Sequence, residues 1–143
     1  MSSDIFCCKR DYSNFDLFYA VAQKNIGAVG TTLVVLKRDM LKKIKRSIPP
    51  MLSYAEQVAK NSVLNTAPVF AIYTALLTLR WTKAKGMEAI EKENREKAAL
   101  LYAELERNSL FIPLVEKDSR SMMNVCFSAM DETTQHAFSR YSE

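Results

Sequence analysis

One lysine sits in the only stretch of the chain whose residue types suggest covalent chemistry: Tyr19-Ala-Val-Ala-Gln23-Lys24-Asn25-Ile26-Gly27-Ala-Val-Gly30. An amine at the end of an apolar strand is costly to desolvate unless it is paired, or used covalently as a neutral amine or Schiff base. The same residues also suit a lysine that reaches into solvent along its apolar stem from a hairpin. Two glycines within six residues mark a tight connection, where the backbone turns sharply or meets a neighbour closely. A second candidate is Asn65-Thr66, ahead of Pro68. An amide and a hydroxyl beside the unpaired N–H groups of a helix start can hold a phosphate, or can simply cap the helix. His136, the only histidine, falls in a terminal helical pattern and reads as a surface residue. Cys7, Cys8 and Cys126 lack metal-ligand spacing and read as reduced thiols, so no metal is expected.

Several elements must position these residues. Residues 15–21 are apolar and aromatic, and residues 31–36 are β-branched, so both read as strands, the second one buried. With no helical pattern between them they form an antiparallel pair at the edge of a larger sheet, which needs further strands and a helix layer. The sequence that follows does not supply those strands, so the chain is expected to be a piece of something longer. Residues 38–47 read as a short amphipathic helix stopped by Pro49-Pro50, and 51–61 as a loop with a helical turn. A helix over 67–84 is apolar around its whole axis, which requires burial on most sides or packing against a second subunit. Gly86 breaks it.

A second helix over 87–108 is charged in its first half, with Glu88/Lys92, Glu91/Arg95 and Glu93/Lys97 at i,i+4 spacing. Ala98, Leu101, Tyr102 and Leu105 form its buried stripe. Residues 111–116 and 123–130 read as strands, and Asp131 opens a further helix. The class is mixed α/β.

The 143 residues, 48% hydrophobic and 25% charged, suit a soluble chain able to bury a core. The net charge of +4 is local, because residues 37–46 hold six cations and one aspartate. No aromatics interleave them, so this is read as a solvated face and no nucleic-acid partner is expected. Arg80 and Lys83 follow the apolar helix too soon for a membrane span, and no signal peptide is read at the start. A cytoplasmic protein without membrane contact is expected.

Ala22-Gln-Lys-Asn-Ile-Gly27 resembles the cofactor-lysine motif of the phosphoserine aminotransferase family, a group of pyridoxal-phosphate enzymes. The similarity continues through Ser47-Ile-Pro-Pro-Met-Leu-Ser-Tyr54, Asn65-Thr-Ala-Pro68, Asn94-Arg-Glu-Lys-Ala-Ala-Leu-Leu-Tyr102 and Arg120-Ser-Met-Met-Asn124. Five ordered blocks at family-like spacing cover most of the chain. The resemblance implies a section of the fold type I transferase fold: residues 1–85 as the end of the large cofactor-binding domain, 86–143 as a linker helix and the start of the small C-terminal domain. It implies pyridoxal 5'-phosphate as cofactor, with Lys24 the Schiff-base lysine and Gln23 a contact beside it. Asn65 and Thr66 match the pair that reaches the phosphate of the partner's cofactor across a homodimer. The implied reaction converts the small molecules 3-phosphohydroxypyruvate and glutamate to phosphoserine and 2-oxoglutarate, in serine biosynthesis.

The chain also departs from the family. The family's pyridinium-binding aspartate lies in Asp-Met-Ser-Ser; Met1-Ser2-Ser3 matches the last three, which puts the aspartate immediately before Met1, and Asp4 is not that residue. A C-terminal His-Arg-Ser-Val-Gly-Gly stretch is also absent. Ala28 and Ala67 stand where proline is usual, and Cys7-Cys8-Lys9 replaces a common Ser-Arg-Pro. The 143 residues by themselves are therefore expected to be inactive. The alternatives are a non-catalytic remnant acting as an assembly partner, or another class V aminotransferase, against which the Asn-Thr-x-Pro and Arg-Ser-x-Met-Asn blocks argue.

Overall fold

The run before the lysine forms β1 (Leu17–Val21) and the run after it β2 (Thr32–Leu36), antiparallel, with Leu17 opposite Leu36 and Val21 opposite Thr32. This is a computed structural model, which describes residues 2–142. The chain divides into two compact units, one ending at Lys85 and the other beginning at Gly86.

In the first unit the strand pair forms a two-stranded sheet among the described residues. Here the expectation of a buried second strand fails. Leu33 and Val35 of β2 are exposed, because a strand is covered on both faces only when layers lie on both sides of its sheet. The core lies instead under the lysine turn, where Ile5, Ala20, Ala22 and Ile26 are buried together, with Phe6, Tyr12, Phe18 and Ala75 against them. Tyr12 stacks on Phe18 with ring centroids 4.7 Å apart.

The expected helix over 38–47 shrinks to a 3-10 segment, Arg38–Lys42. Ten residues ahead of two prolines cannot sustain helix nucleation without a packed face, and Ile44 is exposed. The segment's charges are partly paired, Lys37 with Asp16 at 3.0 Å and Lys43 with Asp39 at 3.7 Å. After a 3-10 turn at Pro50–Leu52 comes α1 (Tyr54–Ala59), whose start is capped by the Ser53 hydroxyl accepting from the Glu56 N–H. This helix was read from the sequence only as a turn within a loop.

Helix α2 (Val69–Lys85) presents apolar residues all round. Ala71 is buried, whereas Phe70, Tyr73 and Trp81 are largely exposed. Thr74, Thr78 and Thr82 each return their hydroxyl to a carbonyl one turn back.

The second unit opens on Gly86, whose φ of +84° favours glycine, and continues as α3 (Met87–Arg107). The Glu91–Arg95 pair forms as expected at 2.6 Å, while Lys92 reaches Glu96. Strands β3 (Phe111–Pro113) and β4 (Phe127–Ala129) pair antiparallel, and α4 (Glu132–Ser142) follows. Phe111, Phe127 and Phe138 meet edge to face and hold the sheet to α4. Arg120 clamps this unit: it bonds Glu106 at 2.6 Å, donates to the Val115 carbonyl and lies over the Tyr102 ring. The Tyr102 hydroxyl in turn donates to the Ser121 carbonyl at 2.9 Å. His136 lies exposed on α4, as expected.

Candidate active site around Lys24

β1 ends because the chain folds over on itself immediately after Val21. The N–H groups of Ile26 and Gly27 both donate to the Ala22 carbonyl, at 3.0 and 2.8 Å. This closes a turn around Gln23, Lys24 and Asn25. Alternation then sorts the side chains: Ala22 and Ile26 point into the core, and Gln23 and Lys24 point out. Lys24 is exposed, and its amine has no hydrogen-bond or ion-pair partner among the described residues. An unpaired amine on a tethered backbone can be presented as a nucleophile.

Two sides of the turn are fastened. On one side, the Asn25 amide nitrogen donates to the carbonyls of Ser3 at 2.7 Å and Ile5 at 2.9 Å, and the Val21 N–H donates to the Ser2 hydroxyl at 2.9 Å. On the other side lies α2. A Cβ added to Gly27 would stand 2.8 Å from the Ala75 nitrogen and 2.9 Å from its Cα, so only glycine lets the turn seat directly on the helix backbone. The Ala28 N–H donates to the Thr74 hydroxyl, and Gly30, at φ +119°, faces Ala71 and Pro68. Sequence reasoning singled out the glycines but not Asn25, Ser2 or Thr74 as partners. Gly27 was the available signal, since a glycine inside an apolar turn implies a backbone close by.

Asn65 and Thr66 are placed differently. Both are exposed in the irregular segment before Pro68, and the Asn65 amide reaches only the neighbouring Thr66 carbonyl, at 3.4 Å. Among the described residues no hydrogen bond joins this pair to Gln23 or Lys24. Met1, part of the Met-Ser-Ser match, lies outside the described residues.

The ionisable groups behind the turn belong to the N-terminal loop. Burial pushes the Cys7 thiol up, the adjacent Cys8 acts in the same direction, and the Arg10 guanidinium opposes both. Burial likewise raises Tyr12. Asp4 pairs with Arg10 at 3.7 Å, yet its Oδ1 is buried without a partner.

These residues suit part of a pyridoxal-phosphate site. Lys24 offers an available amine on a fastened turn, and Asn65-Thr66 offers an amide and a hydroxyl two residues before a 17-residue helix whose first N–H groups have no intrahelical partners.

The model of the class-V aminotransferases matches residues 8–140, and the chain belongs to that family. Within it the chain is similar to the phosphoserine aminotransferase of Flavobacterium johnsoniae, 56% identical over 128 residues, which are 89% of this chain and 36% of the relative. Its fold is similar to the phosphoserine aminotransferase of Bacillus circulans subsp. alkalophilus, with TM-score 0.93 and 37% identity over 99% of this chain and 40% of that one. It is also similar to the pyridoxal-phosphate-bound phosphoserine aminotransferase of Trichomonas vaginalis, with TM-score 0.90 and 31% identity over 99% of this chain and 41% of that one. The chain thus spans about two fifths of the length of these relatives. No helix among the described residues is long and apolar enough to cross a membrane.

Proposed function

We propose that this chain carries the cofactor-lysine segment of a phosphoserine transaminase, a homodimeric cytoplasmic enzyme of serine biosynthesis. It would move the amino group of glutamate to 3-phosphohydroxypyruvate, giving phosphoserine and 2-oxoglutarate. The observation that carries the reading is Lys24 itself: an exposed, unpartnered amine on a turn fastened from two sides. Similarity to phosphoserine aminotransferases along nearly the whole chain supports it.

Pyridoxal phosphate, when bound, supplies an electron sink for negative charge at the substrate Cα. Lys24 would hold that group through Nζ, and as a neutral amine it would be placed to carry the substrate's Cα proton. Gln23 would contact the group from the adjacent position. Asn65 and Thr66 would hold the phosphate of the partner subunit's cofactor, because an amide, a hydroxyl and helix N–H groups favour a dianion. On this reading residues 1–85 close the large domain, and residues 86–143 link it to the small one.

The dimer reading draws on α2. Phe70 is 74% exposed and Tyr73 56%, a patch that a second subunit would cover. Charged residues at both positions are expected to weaken self-association in sedimentation, and an unchanged association constant would remove this support.

The test of the cofactor assignment is borohydride trapping in the complete polypeptide, followed by peptide mass mapping. The reduced pyridoxyl group is expected on Lys24 and lost in Lys24→Ala. A pyridoxyl group on a different lysine, or one that survives the substitution, overturns the assignment.

A further inference from the structure

The Cys7-Cys8 pair takes no part in that reading. Cys7 is 1% exposed and Cys8 9%, neither is in a disulfide, and their sulfurs lie 3.7 Å apart. Three considerations define what such a pair can bind. Adjacent Cα atoms across a trans peptide lie about 3.8 Å apart. That is shorter than the roughly 4.4–6.8 Å at which disulfides close, so direct S–S closure distorts the backbone. By contrast, one atom bound to two thiolates at about 2.3 Å holds them about 3.3–3.8 Å apart for angles from a right angle to tetrahedral, within a few tenths of an ångström of the spacing seen here. Third, no cluster of three or more His, Cys, Asp or Glu side chains that could hold a metal ion is present among the described residues. The pair therefore offers two thiolates where a structural zinc or an iron–sulfur cluster takes four ligands.

We propose that Cys7 and Cys8 form a dithiol site for monosubstituted trivalent arsenicals, R–As=O. Each Sγ forms one bond to arsenic and the As=O bond breaks. The oxygen leaves as water with the two thiol protons. Arsenic stays trivalent and keeps its R group, so no oxidant or reductant is needed.

The site is coupled to Lys24 through the loop that contains it. The Cys7 N–H donates to the Asp4 carbonyl, and residues 2–5 of the same loop supply the Ser2 hydroxyl and the Ser3 and Ile5 carbonyls that fasten the lysine turn. Ile5, next but one to Cys7, is 1% exposed and packs in the core with Ala22 and Ile26. An arsenical can reach the sulfurs only when this loop opens, and the adduct then holds it away from its packed position. Cys126, a lone exposed thiol in the second unit, provides an internal control.

The experiment treats the folded polypeptide with phenylarsine oxide and reads intact mass. One phenylarsenic group per chain is expected, stable to excess β-mercaptoethanol and removed by 2,3-dimercaptopropanol. It should persist in Cys126→Ser and vanish in Cys8→Ser, a change at the more accessible of the two sulfurs. Cys7→Ser should also lose it, scored only if circular dichroism shows the variant folded. Hydrogen exchange at the Val21 amide, which donates to the Ser2 hydroxyl, should rise several-fold on adduct formation and stay unchanged in Cys8→Ser. No adduct on the folded chain, an adduct stripped by the monothiol, or one retained in Cys8→Ser overturns the site. Unchanged exchange at the Val21 amide in the modified chain overturns the coupling to Lys24.

Discussion

The Lys24 turn and the Asn65-Thr66 segment carry the two halves of the candidate chemistry, and they are built in opposite ways. The turn has its backbone tied to the Ala22 carbonyl, its Asn25 side chain on two carbonyls of the N-terminal loop, and its Gly27 against the backbone of α2. The Asn65-Thr66 segment is exposed, with one long hydrogen bond from Asn65 to its own neighbour. A group that must meet a reacting atom gains from a backbone fixed in advance, because any freedom it keeps is lost at the reaction step. On the proposed reading, the Asn65-Thr66 segment would be ordered by the neighbouring subunit's site rather than by ties within its own. The contrast teaches that exposure of a polar side chain says little about its role until the backbone beneath it is inspected.

The largest test of the contrast is Gly27→Val. Its Cβ cannot be accommodated by a flexible side chain, because the obstruction is the Ala75 backbone. The first unit should lose about 1–3 kcal/mol by urea denaturation, as overpacked sites do. A midpoint within error of the parent would mean that the turn does not rest on α2. Next comes Asn25→Ala, which leaves two part-buried carbonyls without their donor. A loss of about 1–3 kcal/mol is expected, with faster amide exchange confined to residues 2–5 and 21–27. Stability equal to the parent would show that water replaces the amide without cost.

At the other pole, Lys24→Ala, Asn65→Ala and Thr66→Ala should each leave stability within about 0.5 kcal/mol, because the side chains are exposed and serve no packed neighbour. A larger loss in either Asn65 or Thr66 would reveal a structural role and erase the comparison.

The smallest effects are those of pH, and on the alkaline side they separate the two units. In the first, burial raises Cys7 and Tyr12 above their ordinary values. The folded state holds those protons more tightly, so the contribution is complete below the unfolded thiol value near ~8.5 and declines as pH rises past it. In the second, the Arg120 and Lys117 side chains hold Glu106 below the usual carboxylate range, and the Thr134 N–H does the same for Asp131. That contribution is present above the unfolded carboxylate values near ~4 and fades as pH falls through the lower folded ones. Alkaline titration should therefore loosen the first unit before the second, read by near-ultraviolet dichroism of Tyr12 substitutions. Glu106→Gln should flatten the acid limb of the second unit alone.

Much of this molecule could be read from residue order. Tight-turn glycines, β-branched runs and an apolar helix are local signals, and they placed β1, β2, α2 and α3 to within a few residues. The five blocks, from Ala22-Gln-Lys-Asn-Ile-Gly27 to Arg120-Ser-Met-Met-Asn124, identified the class-V aminotransferase character, because residue identity at fixed spacing is itself sequence information. Local pattern also misled: the charged periodicity of residues 38–47 suggested a helix that its short length and missing packed face did not support.

The tertiary structure alone decided the partners. That Asn25 faces Ser3 and Ile5 across twenty residues, that Gly27 meets Ala75, and that Arg120 joins Glu106 to Tyr102 are contacts between segments with no mark on each other's sequence. Hydrogen-bond and packing energies depend on which groups are brought to within a few ångströms. Chain order fixes the list of available groups, and only folding fixes the distances between them.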